Sequence, residues 1–188
     1  FRQTMIYWKY DNVIDLKTCK KIIKINKNTW ENGKLGTRTK LPAKSLRQSQ
    51  VSFTTDQWLY DIVFDYMQDA NVRANWNFEI SAAESMQITK YEVNEHYNYH
   101  CDGYGITPQD VPDNKFMHGK TRKLSMTVNL NDEYEGGEFQ FLDDKKGLIK
   151  EKRGTVIIFP SYMQHRVKPV KSGTRYSLVV WFLGKPFK

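Results

Sequence analysis

Two short stretches in the second half of the chain carry residue types suited to metal chemistry. They are His100-Cys101-Asp102, and Pro160-Ser161-Tyr162-Met163-Gln164-His165 with Arg175 beyond it. Two imidazoles and one carboxylate can hold one face of an Fe(II) ion and leave its other positions open. Along a strand, residues two apart share a face. His100 and Asp102 are therefore expected to point at one metal from one strand while Cys101 points away, which makes Cys101 a poor ligand despite its chemistry. His165 must arrive from a distant strand. An H-x-D pair alone is a weak signal; joined to a distal histidine and a basic residue beyond, it is much stronger. The set reads as the metal site of a non-haem iron oxygenase. The competing reading is a surface His–Asp pair plus a buried structural histidine.

Arg175 opens the apolar strand Tyr176–Phe182, whose parity places Arg175, Ser177, Val179 and Trp181 on one face. A guanidinium pointing into a barrel is costly unless an anion meets it. Its planar fork suits a carboxylate in two-point contact. A dicarboxylate co-substrate beside the metal would satisfy it; a strand-end arginine reaching solvent is the alternative. Tyr97 and Tyr99 can pack around the site. His96, beside the expected bend at Asn94-Glu95, and His118, in a long polar segment, are expected to be solvated or hydrogen-bonded rather than ligands.

These residues need strands to hold them. Ile6–Tyr10 is strand-like, and Asp15 or Thr18 can cap a helix reaching about Ile25 with Cys19, Ile22 and Ile23 on one face. Asn26–Ser45 reads as mostly loop and Gln50–Phe53 as a strand. Thr55–Ala70 reads as a helix started by Thr54 or Thr55, and a second helical piece or turn is expected over Asn71–Trp76. From Phe78 the pattern is β. Strands are expected over Phe78–Ile80, Ser85–Val93, Tyr99–Asp102, Lys123–Asn131, Glu138–Leu142, Gly154–Phe159, His165–Val167 and Thr174–Phe182. Turns are expected at Gly136-Gly137, Lys145-Lys146-Gly147 and Lys171-Ser172-Gly173. The expected fold is mainly β with α (α+β): a double-stranded β-helix, or jelly roll, buttressed by N-terminal helices. Residues 1–188 form one domain in this reading, with 1–77 as helical support and 78–188 as the jelly-roll catalytic core. In Leu124–Leu130 the apolar residues alternate with Ser125, Thr127 and Asn129. The polar face can meet water or, in a barrel with helices packed outside, line a ligand cavity.

Composition narrows the class. The chain has 188 residues, 39% hydrophobic and 14% aromatic, enough for one domain with a core; it has no run of about 18 apolar residues, so no membrane span is expected. Its net charge is +8, from 29 basic and 21 acidic residues. The bases are scattered, with modest clusters at Lys17–Lys27 and Lys145–Arg153, so a solvated surface competes with attraction to acidic partners or nucleic acid. Cys19 and Cys101 lie too far apart in sequence to suggest a disulfide framework, which fits a reducing compartment. Phe1-Arg2-Gln3-Thr4-Met5 shows no apolar segment of the secretion-signal kind. A cytoplasmic location without a membrane partner is expected.

The motifs resemble those of the Fe(II)/2-oxoglutarate-dependent dioxygenases of the prolyl 4-hydroxylase class, especially small stand-alone members from bacteria and phages. The resemblance covers most of Gln87–Leu183. It rests on Gly136-Gly137-Glu138-Phe139-Gln140-Phe141, on Gly154 through Pro160-Ser161, and on His165-Arg166-Val167-Lys168-Pro169-Val170 followed by Gly173-Thr174-Arg175-Tyr176. It implies that His100, Asp102 and His165 bind iron and that Arg175 holds the distal carboxylate of 2-oxoglutarate. It further implies that Tyr91, Ser125 and Asn129 serve the same co-substrate, and that Arg122, Trp181 and Gln87 lie near the substrate. Fe(II), 2-oxoglutarate and O2 are the implied cofactors, with ascorbate as a further candidate. The implied reaction couples decarboxylation of 2-oxoglutarate to hydroxylation of a C–H bond. Collagen-type members carry lysine where this chain has Arg175 and oxygen-sensing-type members carry arginine, so the substrate subclass stays open.

The leading expectation is a hydroxylase of a proline-containing peptide or protein. A nucleic-acid dealkylase uses the same triad and suits a basic chain. That class has a second arginine soon after the co-substrate arginine, and Tyr176-Ser177-Leu178-Val179-Val180-Trp181 supplies none. A non-catalytic jelly-roll module is the third reading; the presence of all three ligands and Arg175 argues against it. The segment Gly103–Thr121, with several glycines and prolines, reads equally as an active-site lid or a surface insertion.

Overall fold

The computed structural model describes residues 5–25, 28–34, 43–144, 147–149 and 151–188, with backbone alone at 43 and 44. Much of the loop expected over Asn26–Ser45 and the Lys145-Lys146 part of an expected turn therefore lie outside the described residues. In chain order the elements are β1 (Trp8–Tyr10), α1 (Leu16–Lys24), β2 (Glu31–Asn32), α2 (Ala43–Leu46), β3 (Arg47–Gln48), β4 (Gln50–Thr54) and α3 (Gln57–Arg73). Then follow β5 (Ala82–Ala83), β6 (Met86–Tyr91), β7 (His96–His100), β8 (Thr121–Asn129), β9 (Tyr134–Gly136) and β10 (Phe139–Phe141). The chain closes with β11 (Leu148–Ile149), β12 (Val156–Pro160), β13 (His165–Val167), β14 (Val170–Gly173) and β15 (Arg175–Gly184).

Two sheets make the jelly roll. The larger runs β1-β12-β8-β15-β6-β4-β2, with β5 pairing beside β15. The smaller runs β11-β10-β13-β7-β3, and β14 and β9 form a separate ribbon. All the named strand pairs are antiparallel. The N-terminal part supplies strands as well as helices, since β1, β2 and β4 extend the larger sheet and β3 edges the smaller one.

The helices cover the outer face of the larger sheet. In α3 the buried residues Leu59, Val63, Met67 and Ala70 recur at helical spacing. They meet Met126, Val128, Val180 and Phe182 of the sheet, together with Cys19 and Ile22 of α1. The β12 strand is apolar throughout because both its faces are buried: Val156 and Ile158 join the helical core, Ile157 and Phe159 the inter-sheet core. In β8 the apolar face meets the helices and Ser125, Thr127 and Asn129 turn inward. Of the two readings left open for this strand, helices outside and polar residues inside is the one the fold adopts.

Several local expectations change. Asp15 caps α1 as expected, its carboxylate accepting from the Thr18 amide at 3.0 Å. The cap of α3 is Asp56 rather than Thr54 or Thr55; Thr54 Oγ1 instead accepts from the Asp56 amide at 3.2 Å. Of the two forms expected over Asn71–Trp76, the turn is the one that forms: α3 runs on to Arg73 and a turn follows at Ala74-Asn75, where Asn75 takes a left-handed φ of 59°. Phe78–Ile80 is not a strand, because Phe78 is tied by its backbone to the Asn71 side chain. Lys171-Ser172-Gly173 forms part of β14 rather than a turn, pairing with β9. Gly136 ends β9 and Gly137 begins the short link to β10, both at positive φ.

Candidate metal and co-substrate site

The β7 strand ends at His100, so Asp102 does not share a strand face with it, contrary to the alternation argument. A bend carries Asp102 instead. The amides of Asp102 and Gly103 both donate to the Ser161 carbonyl, at 3.0 and 3.1 Å, which hooks the bend onto the end of β12. His165 opens β13 directly opposite His100, its register partner, with ring centroids 4.3 Å apart. The Asp102 carboxylate spans both rings: Oδ1 lies 3.7 Å from His100 Nε2 and Oδ2 3.7 Å from His165 Nε2. One ligand atom from each of the three residues lies within 4.8 Å of the others.

The outward-facing nitrogens fix the inward-facing ones. His100 Nδ1 meets the Asn98 carbonyl at 2.8 Å, and His165 Nδ1 meets the Met163 carbonyl at 2.9 Å. A carbonyl can only accept, so each Nδ1 carries a proton and each Nε2 is turned toward Asp102. Tyr97 stacks on His100 with centroids 3.4 Å apart, and Phe139 and Phe159 flank His165 at 5.3 and 4.7 Å. Burial, then the neighbouring His165, pushes His100 down to about 3, so its ring is neutral at pH 7. Burial alone would raise the Asp102 carboxyl, but His165, His100 and Arg122 outweigh it and hold it below the usual carboxylate range. A neutral His100 ring and an ionised Asp102 carboxylate, with His165 Nε2 facing the same carboxylate, make a donor set that fits Fe(II).

A cavity of about 460 Å³ opens beside these residues between the two sheets. His100, Asp102 and His165 line one wall; Tyr91, Thr127, Arg175 and Ser177 line another. Arg175 is fully buried, its Nη2 2.7 Å from Glu151 Oε2 and its Nη1 donating to Ser177 Oγ at 3.2 Å. The Tyr91 ring lies 5.7 Å from its guanidinium carbon. Burial opposes the charged form of Arg175, and the Glu151 carboxylate, with Tyr134 and Tyr91, more than offsets it.

At the cavity mouth Arg122 lies over the Trp181 ring at 3.9 Å. Glu84 takes two of its donors, Nε and Nη2, both at 2.6 Å, and Nη1 donates to the Asp102 carbonyl at 3.2 Å. Gln87 lines the cavity and donates to Thr89. The segment between β7 and β8 is tied here too: Gln109 donates to Glu84 at 2.9 Å, and the Phe187 amide to the Gly105 carbonyl at 2.7 Å.

The sequence-derived residues thus mostly converge. His100, Asp102, His165, Arg175, Tyr91, Arg122, Trp181 and Gln87 all line one cavity. Ser125 and Asn129 share the inward face but are not among the lining residues. Ser125 Oγ lies 2.9 Å from Ser161 Oγ, and Asn129 Nδ2 donates to the Asn131 and Glu151 carbonyls. Thr127, between them on the same face, does line the cavity, and strand parity alone could have found it. Glu84 and Glu151 gave no sequence signal; each comes from a connection outside the motifs. Cys101 also borders the cavity, but its thiol meets the Tyr162 carbonyl at 3.2 Å and it is not part of the ligand cluster. His96 meets the Asn94 and Ser45 carbonyls, and His118 lies 3.9 Å from Asp110; neither belongs to the His100–Asp102–His165 cluster.

Known proteins resemble this chain in sequence and in fold. The family description "2OG-Fe(II) oxygenase superfamily" fits residues 86–183. A PKHD-type hydroxylase of Synechococcus sp. (strain CC9902) is 36% identical over 106 residues, 54% of this chain and 42% of that protein. Another from Prochlorococcus marinus (strain MIT 9515) is 29% identical over 172 residues, 86% of this chain and 71% of that protein. This chain spans less than half the length of the first of these curated relatives. Among solved structures, a viral collagen prolyl hydroxylase from Paramecium Bursaria Chlorella virus-1, in complex with 2OG, shares the fold. Its TM-score is 0.71 at 21% identity, covering 96% of this chain and 97% of that one. A Trichoplax adhaerens prolyl hydroxylase in complex with a hypoxia inducible factor peptide fragment gives 0.64 at 14% identity, over 94% and 83%. The family match begins on β6 and ends on β15, so it takes in every strand that carries a metal-ligand candidate and Arg175. More than half of the sequence lies within it, and the chain belongs to the 2OG-Fe(II) oxygenase superfamily.

Proposed function

We propose that this chain is an Fe(II)- and 2-oxoglutarate-dependent dioxygenase that hydroxylates a peptidyl residue, with proline as the favoured target. The reading rests on one observation above the rest: the His100, Asp102 and His165 ligand atoms cluster within 4.8 Å on the wall of a cavity that Arg175 also lines. His100 Nε2, His165 Nε2 and an Asp102 oxygen would hold the metal. Arg175, with Ser177 and Thr127 beside it, would hold the distal carboxylate of 2-oxoglutarate. Bound Fe(II) with 2-oxoglutarate and O2 supplies the oxidising power that turns a C–H bond into C–OH, yielding succinate and CO2. The aromatic walls around His100 and His165 exclude water from that chemistry. Arg122 and Trp181 would meet an extended peptide at the mouth, and residues 103–120, tethered through Gln109, would cover it.

PKHD-type and prolyl hydroxylases among the relatives support the peptide reading. Nucleic-acid dealkylation is less well supported, since no second arginine follows soon after Arg175. The test is succinate release with proline-containing peptides against methylated oligonucleotides, at about 0.15 M salt to screen non-specific attraction. Turnover with the peptides alone is expected. Turnover with the oligonucleotides alone would replace the prolyl reading by the dealkylase. Adding ascorbate to the same assay tests it as a reductant for the metal.

A further inference from the structure

The guanidinium assigned to the co-substrate already has a carboxylate on it. Arg175 is fully buried, the Glu151 side chain is 1% exposed, and Nη2 and Oε2 lie 2.7 Å apart. Arg175 and Ser177 line the cavity whereas Glu151 does not. Glu151 therefore grips one edge of the fork from outside the cavity, and Nη1 stays with Ser177 on the cavity side. The arginine stem is pinned: a Cβ built on Gly137 would fall 2.9 Å from Arg175 Cδ, so only glycine leaves room for it. A guanidinium so enclosed cannot swing out to water when its partner changes.

We propose that Glu151 is the resident counter-anion of Arg175, a positioning residue that stabilises the buried arginine in the free protein and weakens its hold on a dicarboxylate. This rests on the co-substrate role given to Arg175 above. Without Glu151, a buried charge would stand unpaired before ligand arrives, which is strongly unfavourable. With Glu151 in place, a second carboxylate joins a guanidinium whose charge is already shared, and the two anions repel where little water screens them. The pair is also incompletely satisfied: among the described residues neither Glu151 Oε1 nor Arg175 Nε finds a hydrogen-bond partner.

Two readouts must then move in opposite directions. Glu151→Gln keeps the shape and an acceptor oxygen but removes the charge. In the full chain without ligand its melting temperature should fall. Loaded with Mn(II) under anaerobic conditions, it should bind 2-oxoglutarate about tenfold more tightly than wild type by calorimetry. Pyruvate, which lacks the distal carboxylate, should bind both proteins alike. Glu151→Asp, which draws the charge back by one methylene, should fall between wild type and Glu151→Gln, and it decides the question if the glutamine variant does not fold. A merely structural role would lower stability and affinity together, so equal or weaker 2-oxoglutarate binding by the variants overturns the proposal. Equal tightening for pyruvate would overturn it too. Wild-type protein that binds no 2-oxoglutarate would instead overturn the co-substrate role of Arg175 itself.

Discussion

At the residue scale, the site is decided by which nitrogen of each histidine is spoken for. The Asn98 and Met163 carbonyls take Nδ1 of His100 and His165, which turns both Nε2 atoms toward Asp102. The sequence named all three ligand candidates from residue type and spacing, yet it placed Asp102 wrongly, on a strand that ends two residues earlier. What brings Asp102 in is a pair of backbone hydrogen bonds to Ser161, and main-chain hooks of this kind leave no mark in side-chain patterns. Arg175 was legible through strand parity, whereas its partner Glu151 was not, because the connection carrying it has no periodicity. Arg175→Ala is expected to weaken 2-oxoglutarate binding by about 1.5–3 kcal/mol, the scale of a charge-assisted hydrogen bond. It also strands a buried Glu151, so folding stability should fall by about 3–5 kcal/mol. Arg175→Lys keeps the charge without the fork and separates the two effects: calorimetry should show weakened binding with stability largely kept.

At the scale of elements, two periodicities divide the work. The period-2 alternation of β8 and β15 sends Met126, Val128, Leu178 and Val180 out to the helices and Thr127, Arg175 and Ser177 in to the cavity. The 3.6-residue period of α3 supplies the surface that receives the outer set. These long elements were readable because many residues repeat one instruction. The short strands β2, β3, β9 and β11 were not, since two or three residues carry no period and their pairing is set by neighbours across the sheet. Leu59 sits at 1% exposure in the seam between α3 and the sheet. Leu59→Ala should cost about 2–5 kcal/mol in denaturant melts while leaving the affinity for 2-oxoglutarate per folded molecule unchanged. A matching loss of affinity would mean that the helix shapes the cavity directly and does more than support the sheet.

At the scale of the whole molecule, the cavity lies between two sheets whose inner faces contribute unlike chemistry. The smaller sheet and the bend after it bring both imidazoles and the carboxylate; the larger brings the arginine and its hydroxyl neighbours. Metal and co-substrate together would therefore bridge the two sheets and stabilise the folded chain by mass action. At a ligand concentration about a hundred times the dissociation constant, the gain is about 2.7 kcal/mol. Mn(II) with 2-oxoglutarate should raise the melting temperature of wild type, and Asp102→Ala should abolish that rise.

The triad and Arg175 would set metal and 2-oxoglutarate side by side, so that one O2 is shared between two products. Turnover under isotopically labelled O2, with Fe(II), 2-oxoglutarate and a proline-containing peptide, tests it most directly. Mass spectrometry should find one labelled oxygen atom in succinate and the other in the hydroxylated peptide, with neither product formed by Asp102→Ala. Succinate free of the label, or undiminished turnover in that variant, would contradict it.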